Sequence, residues 1–220
     1  LTLVDEGGLP IRGELLTALM VHMVLTASPR GTIVVPVQAS SAVEHLARRH
    51  GGKVLRTKAN PTALMAAAQS SHNVVLGGSG ETGFIFPRLH PGFDAMFCIA
   101  KVMEMLTVQK RTLGEIRSEL PTVYHNSCSV RCSWKIKGAL MRYLVEIHRD
   151  QHIELVDGVK ITFPHGDNWV LILPDAGEPL VHIYANSEDR HWVDDKLRYY
   201  QAQVLNFISD AQEESYQHFS

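Results

Sequence analysis

Ile33-Val34-Val35-Pro36-Val37 decides the fold class. An unbroken apolar run of this length, without polar alternation, describes a strand covered on both faces, as in a parallel sheet flanked by helices. Downstream, Ser41 and Glu44 form a capping-box pattern that predicts a helix ending at Gly51-Gly52, and Val54-Leu55 gives a second short strand. Asn60 before Pro61 predicts the N-cap and first position of a helix through Gln69, and Val74-Val75-Leu76 supplies a third strand. This alternation predicts a Rossmann-like α/β/α core.

Around that core, Leu15 to Leu25 reads as a buried helix, and Leu1 to Val4 as a strand running into a turn at Glu6-Gly7-Gly8. Asp94 to Leu106 has helical apolar spacing, and Thr112 with Glu115 caps a further short helix. Met20, Met23, Met96 and Met103 recur at helical spacing and are expected in the core. Leu120-Pro121 marks the expected boundary, so residues 1–121 form one domain and 122–220 a second. The second half has a different rhythm. A helix from Trp134 to His148 is followed by strands at Ile153 to Val156, Val159 to Phe163, Trp169 to Leu173 and Leu180 to Ala185. Asp157-Gly158 is a two-residue hairpin signal, and a helix from about Asp189 to Phe207 follows the last strand. That pattern predicts a smaller α+β domain with an antiparallel sheet.

Composition limits the partners. The 220 residues are 45% hydrophobic and carry 21 Lys plus Arg against 23 Asp plus Glu, a formal charge of -2, with no long run of either sign. Neither nucleic acid nor a membrane surface is expected as a partner. The apolar run in the first helix is far shorter than the roughly 20 residues of a membrane span. Three cysteines, Cys98, Cys128 and Cys132, do not suggest a disulfide framework, so a reducing cytoplasm is expected.

Gly78-Ser79-Gly80-Glu81-Thr82-Gly83 has the spacing of a dinucleotide fingerprint. That chemistry needs a helix N-terminus directly after the glycines, and Phe84-Ile85-Phe86-Pro87 reads instead as a short strand stopped by proline. His125, Cys128 and Cys132 could suggest a soft metal site, but a strand sends His125 to the face opposite the cysteines, which then read as small buried hydrophobes. Trp134, Trp192 and Tyr199-Tyr200 are candidate interface anchors, with core packing as the simpler reading.

Several segments, in order, resemble the α-D-phosphohexomutase superfamily of phosphomannomutases and phosphoglucomutases. They are Val4-Asp5-Glu6-Gly7-Gly8, then Gly77 to Pro87 with His90-Pro91-Gly92-Phe93-Asp94-Ala95, then Asp157-Gly158-Val159-Lys160, Trp169-Val170 and Pro174 to Pro179. The resemblance implies that residues 1–121 are that family's domain III and 122–220 its C-terminal domain IV. It also implies that the phosphoserine and the magnesium loop, Asp-Gly-Asp-x-Asp-Arg, belong to upstream domains. No cofactor is expected in this stretch, and magnesium is expected in the parent if that parent is catalytic. Upstream domains of the same parent chain are the expected neighbours, and self-association is left open.

The ligand positions depart from the family's pattern. Where the sugar loop reads Gly-Glu-x-Ser-Gly-His, this chain has Ser79-Gly80-Glu81-Thr82-Gly83-Phe84. Where the phosphate loop reads Arg-Pro-Ser-Gly-Thr-Glu-Pro, it has Leu173-Pro174-Asp175-Ala176-Gly177-Glu178-Pro179, and a later arginine position falls on His182. A carboxylate about 4 Å from a phosphate costs on the order of 1 kcal/mol per charge pair in water, so Asp175 is expected to repel phosphate. The resemblance places Glu81, Thr82, Gly83, Asp175, Gly177, Glu178 and His182 as the residues that would meet a sugar phosphate or sugar nucleotide, with no catalytic residue among them.

Cys132-Ser133-Trp134-Lys135-Ile136-Lys137-Gly138 and Leu173-Pro174-Asp175 are most similar to the mutase-like C-terminal half of fused mannose-1-phosphate guanylyltransferases. The expected function is therefore a catalytically incomplete sugar-phosphate binding or regulatory module. The alternatives are half of an active mutase that interconverts hexose 1- and 6-phosphates, or a structural assembly module.

Overall fold

The computed structural model describes residues 1–164 and 167–217, with side chains through residue 211. The chain forms two compact units, Leu1–Thr122 and Val123–Ser220.

In the first unit, β1 (Leu3–Val4) and β2 (Pro10–Ile11) form an antiparallel ribbon that leads into α1 (Gly13–Ala27). Every residue of α1 from Leu16 to Leu25 is buried, because the helix lies inside the unit and not on its surface. Next come β3 (Thr32–Pro36), α2 (Ala42–Arg49), β4 (Lys53–Thr57), α3 (Pro61–Ala68), β5 (Val74–Ser79) and β6 (Gly83–Ile85). The sheet order is β4-β3-β5-β6, with β3 parallel to β4 and β5, and β6 turned back antiparallel on β5. Ile33, Val34 and Val35 are fully buried, as a central parallel strand requires. Then α4 (Ala95–Gln109) and α5 (Leu113–Ser118) follow.

Caps set most of these ends. Asn60 accepts from the Ala63 amide at 2.8 Å, Asp94 accepts from Phe97 at 2.9 Å, and Thr112 with Glu115 forms a reciprocal capping box. Ser41 departs from the expectation. It precedes α2 but makes no side-chain cap, because its own backbone is helical, with φ of -66° and ψ of -7°, where an N-cap is extended. Glu44 in turn is taken by Arg56, whose Nε and Nη2 meet its two oxygens at 2.8 and 2.9 Å. Asp5 accepts from the amides of Gly7 and Leu9 and pairs with Arg117, so the turn after β1 is tied to α5.

Helical spacing misplaced two methionines. Met20 and Met23 are fully buried in α1, but Met96 is 82% exposed and Met103 64% exposed on α4. That helix buries Cys98, Val102 and Met105 instead, because its packing face lies on the neighbouring stripe.

The second unit is an antiparallel sheet with two helices. Its elements are β7 (Tyr124–Arg131), α6 (Trp134–Ile147), β8 (His152–Glu154), β9 (Val159–Thr162), β10 (Trp169–Pro174), β11 (Leu180–Ser187) and α7 (Arg190–Gln217). The order is β7-β11-β10-β9-β8. Leu140 and Leu144 of α6 and Val193, Tyr200 and Val204 of α7 close a core over Ile161, Val170, Ile172 and Ile183. The register Glu154↔Lys160 leaves a longer connection than the two-residue hairpin expected at Asp157-Gly158. Gly158 serves a different need, since a Cβ there would fall 2.3 Å from the Ile172 carbonyl oxygen. Of the aromatic anchors, Tyr200 is core and Trp192 packs against it, while Trp134 and Tyr199 are 55% and 56% exposed.

Candidate functional site

In the first unit, the loop between β5 and β6 lies at the carboxyl end of the parallel strands, where open α/β sheets bind ligands. Gly78 and Gly83 have φ of +109° and +96°, which lets β5 reverse into β6 within a few residues. The Thr82 hydroxyl accepts from the Ser79 amide at 3.2 Å and meets the Ser79 hydroxyl at 3.1 Å. It therefore closes its own turn. Glu81 is exposed, and its charge reaches Glu14. Gly80 donates to the Thr17 hydroxyl at 2.9 Å and has no room for a side chain, since a Cβ would fall 2.1 Å from the Gly13 carbonyl oxygen. The loop is thus seated on the first turns of α1.

The same edge holds groups that spacing alone did not single out. Glu14 accepts from the Ser40 amide at 2.7 Å. Loss of water around its carboxyl outweighs that bond, and with help from the nearby Glu81 and Glu44 charges it raises the group to about 7. Besides its bidentate bond to Glu44, Arg56 donates from Nη1 to the carbonyls of Val37 and Ala39 at 2.8 and 2.7 Å, so it holds the loop after β3 in place. The one available signal was an arginine inside a short strand beside a glutamate at a helix start.

In the second unit, the four remaining predicted residues meet one another. Asp175 Oδ1 accepts from the amides of Gly177 and Glu178, each at 2.7 Å, and Oδ2 meets His182 Nε2 at 2.9 Å. The His182 bond, followed by the Gly177 and Glu178 amides, lowers the Asp175 carboxyl to about 2. Ser129 lies 2.8 Å from His182 Nδ1 across the β7 and β11 pair. Lys137, buried in α6, donates to the carbonyls of Asp175 and Glu178 and lies 3.8 Å from the centre of the Trp134 ring. Sequence reading missed Ser129 and Lys137, which lie far from the loop in the chain.

The expected repulsion by Asp175 has a different form in the structure. The amides of a loop like this one present a concave set of N–H donors to an anion. Here the loop's own carboxylate takes those donors.

Among the described residues, no three His, Cys, Asp or Glu side chains are grouped to hold a metal ion. The three cysteines are free, and burial pushes each thiol up, Cys98 to about 11. Among the described residues, no helix is long and apolar enough to cross a membrane.

Comparison with known proteins places this geometry in a family. Residues 12–124 match the family described as phosphoglucomutase/phosphomannomutase, alpha/beta/alpha domain III. A phosphoglucomutase/phosphomannomutase of Thermococcus kodakarensis is 28% identical over 210 residues, covering 94% of this chain and 44% of its own length. A protein of Methanopyrus kandleri described as a probable phosphoglucosamine mutase is 32% identical over 190 residues, covering 84% and 41%. The chain spans less than half the length of these relatives. Among solved structures, a phosphoglucomutase/phosphomannomutase family protein of Burkholderia thailandensis has the same fold, with TM-score 0.73 and 17% identity over 94% of this chain and 44% of that one. N-acetylphosphoglucosamine mutase of Aspergillus fumigatus matches with TM-score 0.65 and 13% identity over 96% and 46%. The chain therefore belongs to the phosphoglucomutase/phosphomannomutase family, and residues 12–124 are its α/β/α domain III.

Proposed function

We propose that this chain is a sugar-phosphate binding or regulatory module, built on phosphohexomutase domains III and IV, in which the terminal phosphate loop is closed by its own carboxylate. The carrying observation is the pair of 2.7 Å bonds from the Gly177 and Glu178 amides to Asp175 Oδ1. A phosphate oxygen competing for those donors must displace an anion already held in place, so phosphate is bound weakly there or at neighbouring groups. In the first unit the sugar-facing candidates are Glu81, Thr82 and Gly83, and in the second unit His182 stands beside Asp175.

The finer reading makes this module the C-terminal part of a cytoplasmic mannose-1-phosphate guanylyltransferase. Its support is the likeness of residues 132–138 and 173–175, while the relatives reported above carry mutase names. Calorimetry with mannose 1-phosphate, glucose 1-phosphate and GDP-mannose on the parent protein, with and without residues 1–220, tests both levels. Weakened binding or altered kinetics after deletion is the expected result. Identical behaviour of the two forms would leave a purely structural role.

A second reading, half of an active mutase, is favoured by the relatives' names. Those relatives align with 94% and 84% of this chain, and an upstream Asp-Gly-Asp-x-Asp-Arg loop would bring the magnesium. Sequencing upstream of Leu1 and assaying conversion of mannose 1-phosphate to mannose 6-phosphate separates the two. Turnover by the parent protein would rule out the incomplete module.

A further inference from the structure

The structure assigns Ser129 as a base-activated nucleophile toward small acyl esters, an activity separate from sugar-phosphate binding. Ser129 and His182 are directly paired across β7 and β11, and the exposed Ser129 hydroxyl lies 2.8 Å from Nδ1. The opposite ring nitrogen, Nε2, lies 2.9 Å from Asp175 Oδ2. An ionised carboxylate only accepts, so Nε2 carries the ring proton and Nδ1 keeps the lone pair that receives the Ser129 O–H. Asp175 cannot turn away, because the Gly177 and Glu178 amides hold its other oxygen. Nucleophile, base and orienting acid are thus in line, the relationship that marks serine nucleophiles on unrelated folds whatever their chain order.

The surroundings suit a small ester. The three side chains lie at the surface and not in the packed core, with His182 24% and Asp175 29% exposed. Arg131 lies two residues along β7 from Ser129, on the same face of the strand and exposed, and offers a cation to a developing oxyanion. In the reaction, Ser129 Oγ bonds to the ester carbonyl carbon while its proton passes to Nδ1. The bond to the alcohol oxygen then breaks as Nδ1 returns the proton to that oxygen. Water attacks the acyl-serine by the same proton cycle, so ester and water give acid and alcohol.

A structural cross-strand pair would show the same distances, so the test must read reactivity. Incubating the whole chain with a fluorophosphonate probe and mapping the adduct by mass spectrometry does so. We expect one adduct, on Ser129, and none there in Ser129→Ala. His182→Gln should slow labelling roughly 100-fold through loss of the general base. Asp175→Asn keeps an oxygen for the two amides but donates to Nε2, which moves the ring proton to Nδ1, and should slow labelling comparably. The proposal is overturned by no adduct on Ser129, by equal labelling of neighbouring Ser127, or by unchanged rates in a folded Asp175→Asn. None of these outcomes depends on whether a sugar phosphate binds.

Discussion

Asp175 Oδ1 and the backbone nitrogen of Gly177 stand 2.7 Å apart, with the Glu178 nitrogen at the same distance from the same oxygen. Lys137 grips the loop from behind through the carbonyls of Asp175 and Glu178. The carboxylate is therefore an internal anion whose effective concentration at these donors is set by covalent attachment and not by solution.

Removing that anion should free the donors. Asp175→Ser is expected to bind orthophosphate more tightly than the parent sequence, read by titration calorimetry near neutral pH. Equal or weaker binding in the folded variant would show that the loop does not select anions.

Two glycines of the β5 to β6 turn are sterically required. A Cβ on Gly78 would fall 2.0 Å from the Gly83 carbonyl oxygen at φ +109°, and one on Gly80 2.1 Å from that of Gly13. Gly78→Ala and Gly80→Ala should each lose at least about 1–3 kcal/mol. Gly177→Ala, whose nearest neighbour is the Asp175 oxygen at 3.7 Å, should stay within about 0.5 kcal/mol. Urea denaturation checks all three, and equal losses would contradict the steric account.

The core of the second unit predicts a similar contrast with α4. Leu144 is fully buried between α6 and the sheet, and Leu144→Ala should cost about 2–5 kcal/mol. Met103, 64% exposed, should tolerate alanine within about 0.5 kcal/mol. Comparable destabilisation by Met103→Ala would show that α4 buries the methionine after all.

His22 and His50 should make stability fall on acidification. Their ring nitrogens lie 3.2 Å apart, and Glu119, which pairs with Arg111, lies 3.4 Å from His22. Burial, then the His50 ring and the Arg49 charge, hold His22 below its ordinary value, and burial and Arg49 do the same for His50. A depressed histidine is neutral in the fold, so protons favour the unfolded chain once pH drops below about 6.5. Relative to His22→Gln, the parent protein should lose unfolding free energy as pH falls from about 7.5 to 5. Parallel slopes in the two proteins would remove His22 from the account.

Glu14 should act with the opposite sign. Its folded value near 7 lies above the ordinary glutamate range, so its contribution is complete below that ordinary range and is lost as pH rises through about 7. Glu14→Gln cannot ionise and should flatten the decline in stability between about pH 4.5 and 7. A decline that survives the substitution would assign it to another group.

The first unit was legible because local rules agreed with the fold. The Ile33–Val37 run, the Asn60-Pro61 start and the Thr112 and Glu115 box each specify an element by short-range chemistry, and each element is present. Met96 and Met103 misled because apolar spacing shows that a helix has a stripe and not which neighbour covers it. Ser41 misled because its backbone is helical and not extended, while Glu44 found a stronger partner, Arg56, twelve residues away.

Sequence alone determined most of the succession of strands and helices, β2 excepted, the altered composition of the loops at Gly80 to Phe84 and Leu173 to Pro179, and the resemblance those loops carry. Tertiary structure alone decided that Asp175 occupies the Gly177 and Glu178 donors, that Ser129 completes a line with His182, and that Glu14 holds the Ser40 amide. Propensities and caps act over a few residues along the chain. Pairing between distant groups is fixed by strand register and packing, where water is excluded and each donor takes the acceptor that folding brings within about 3 Å.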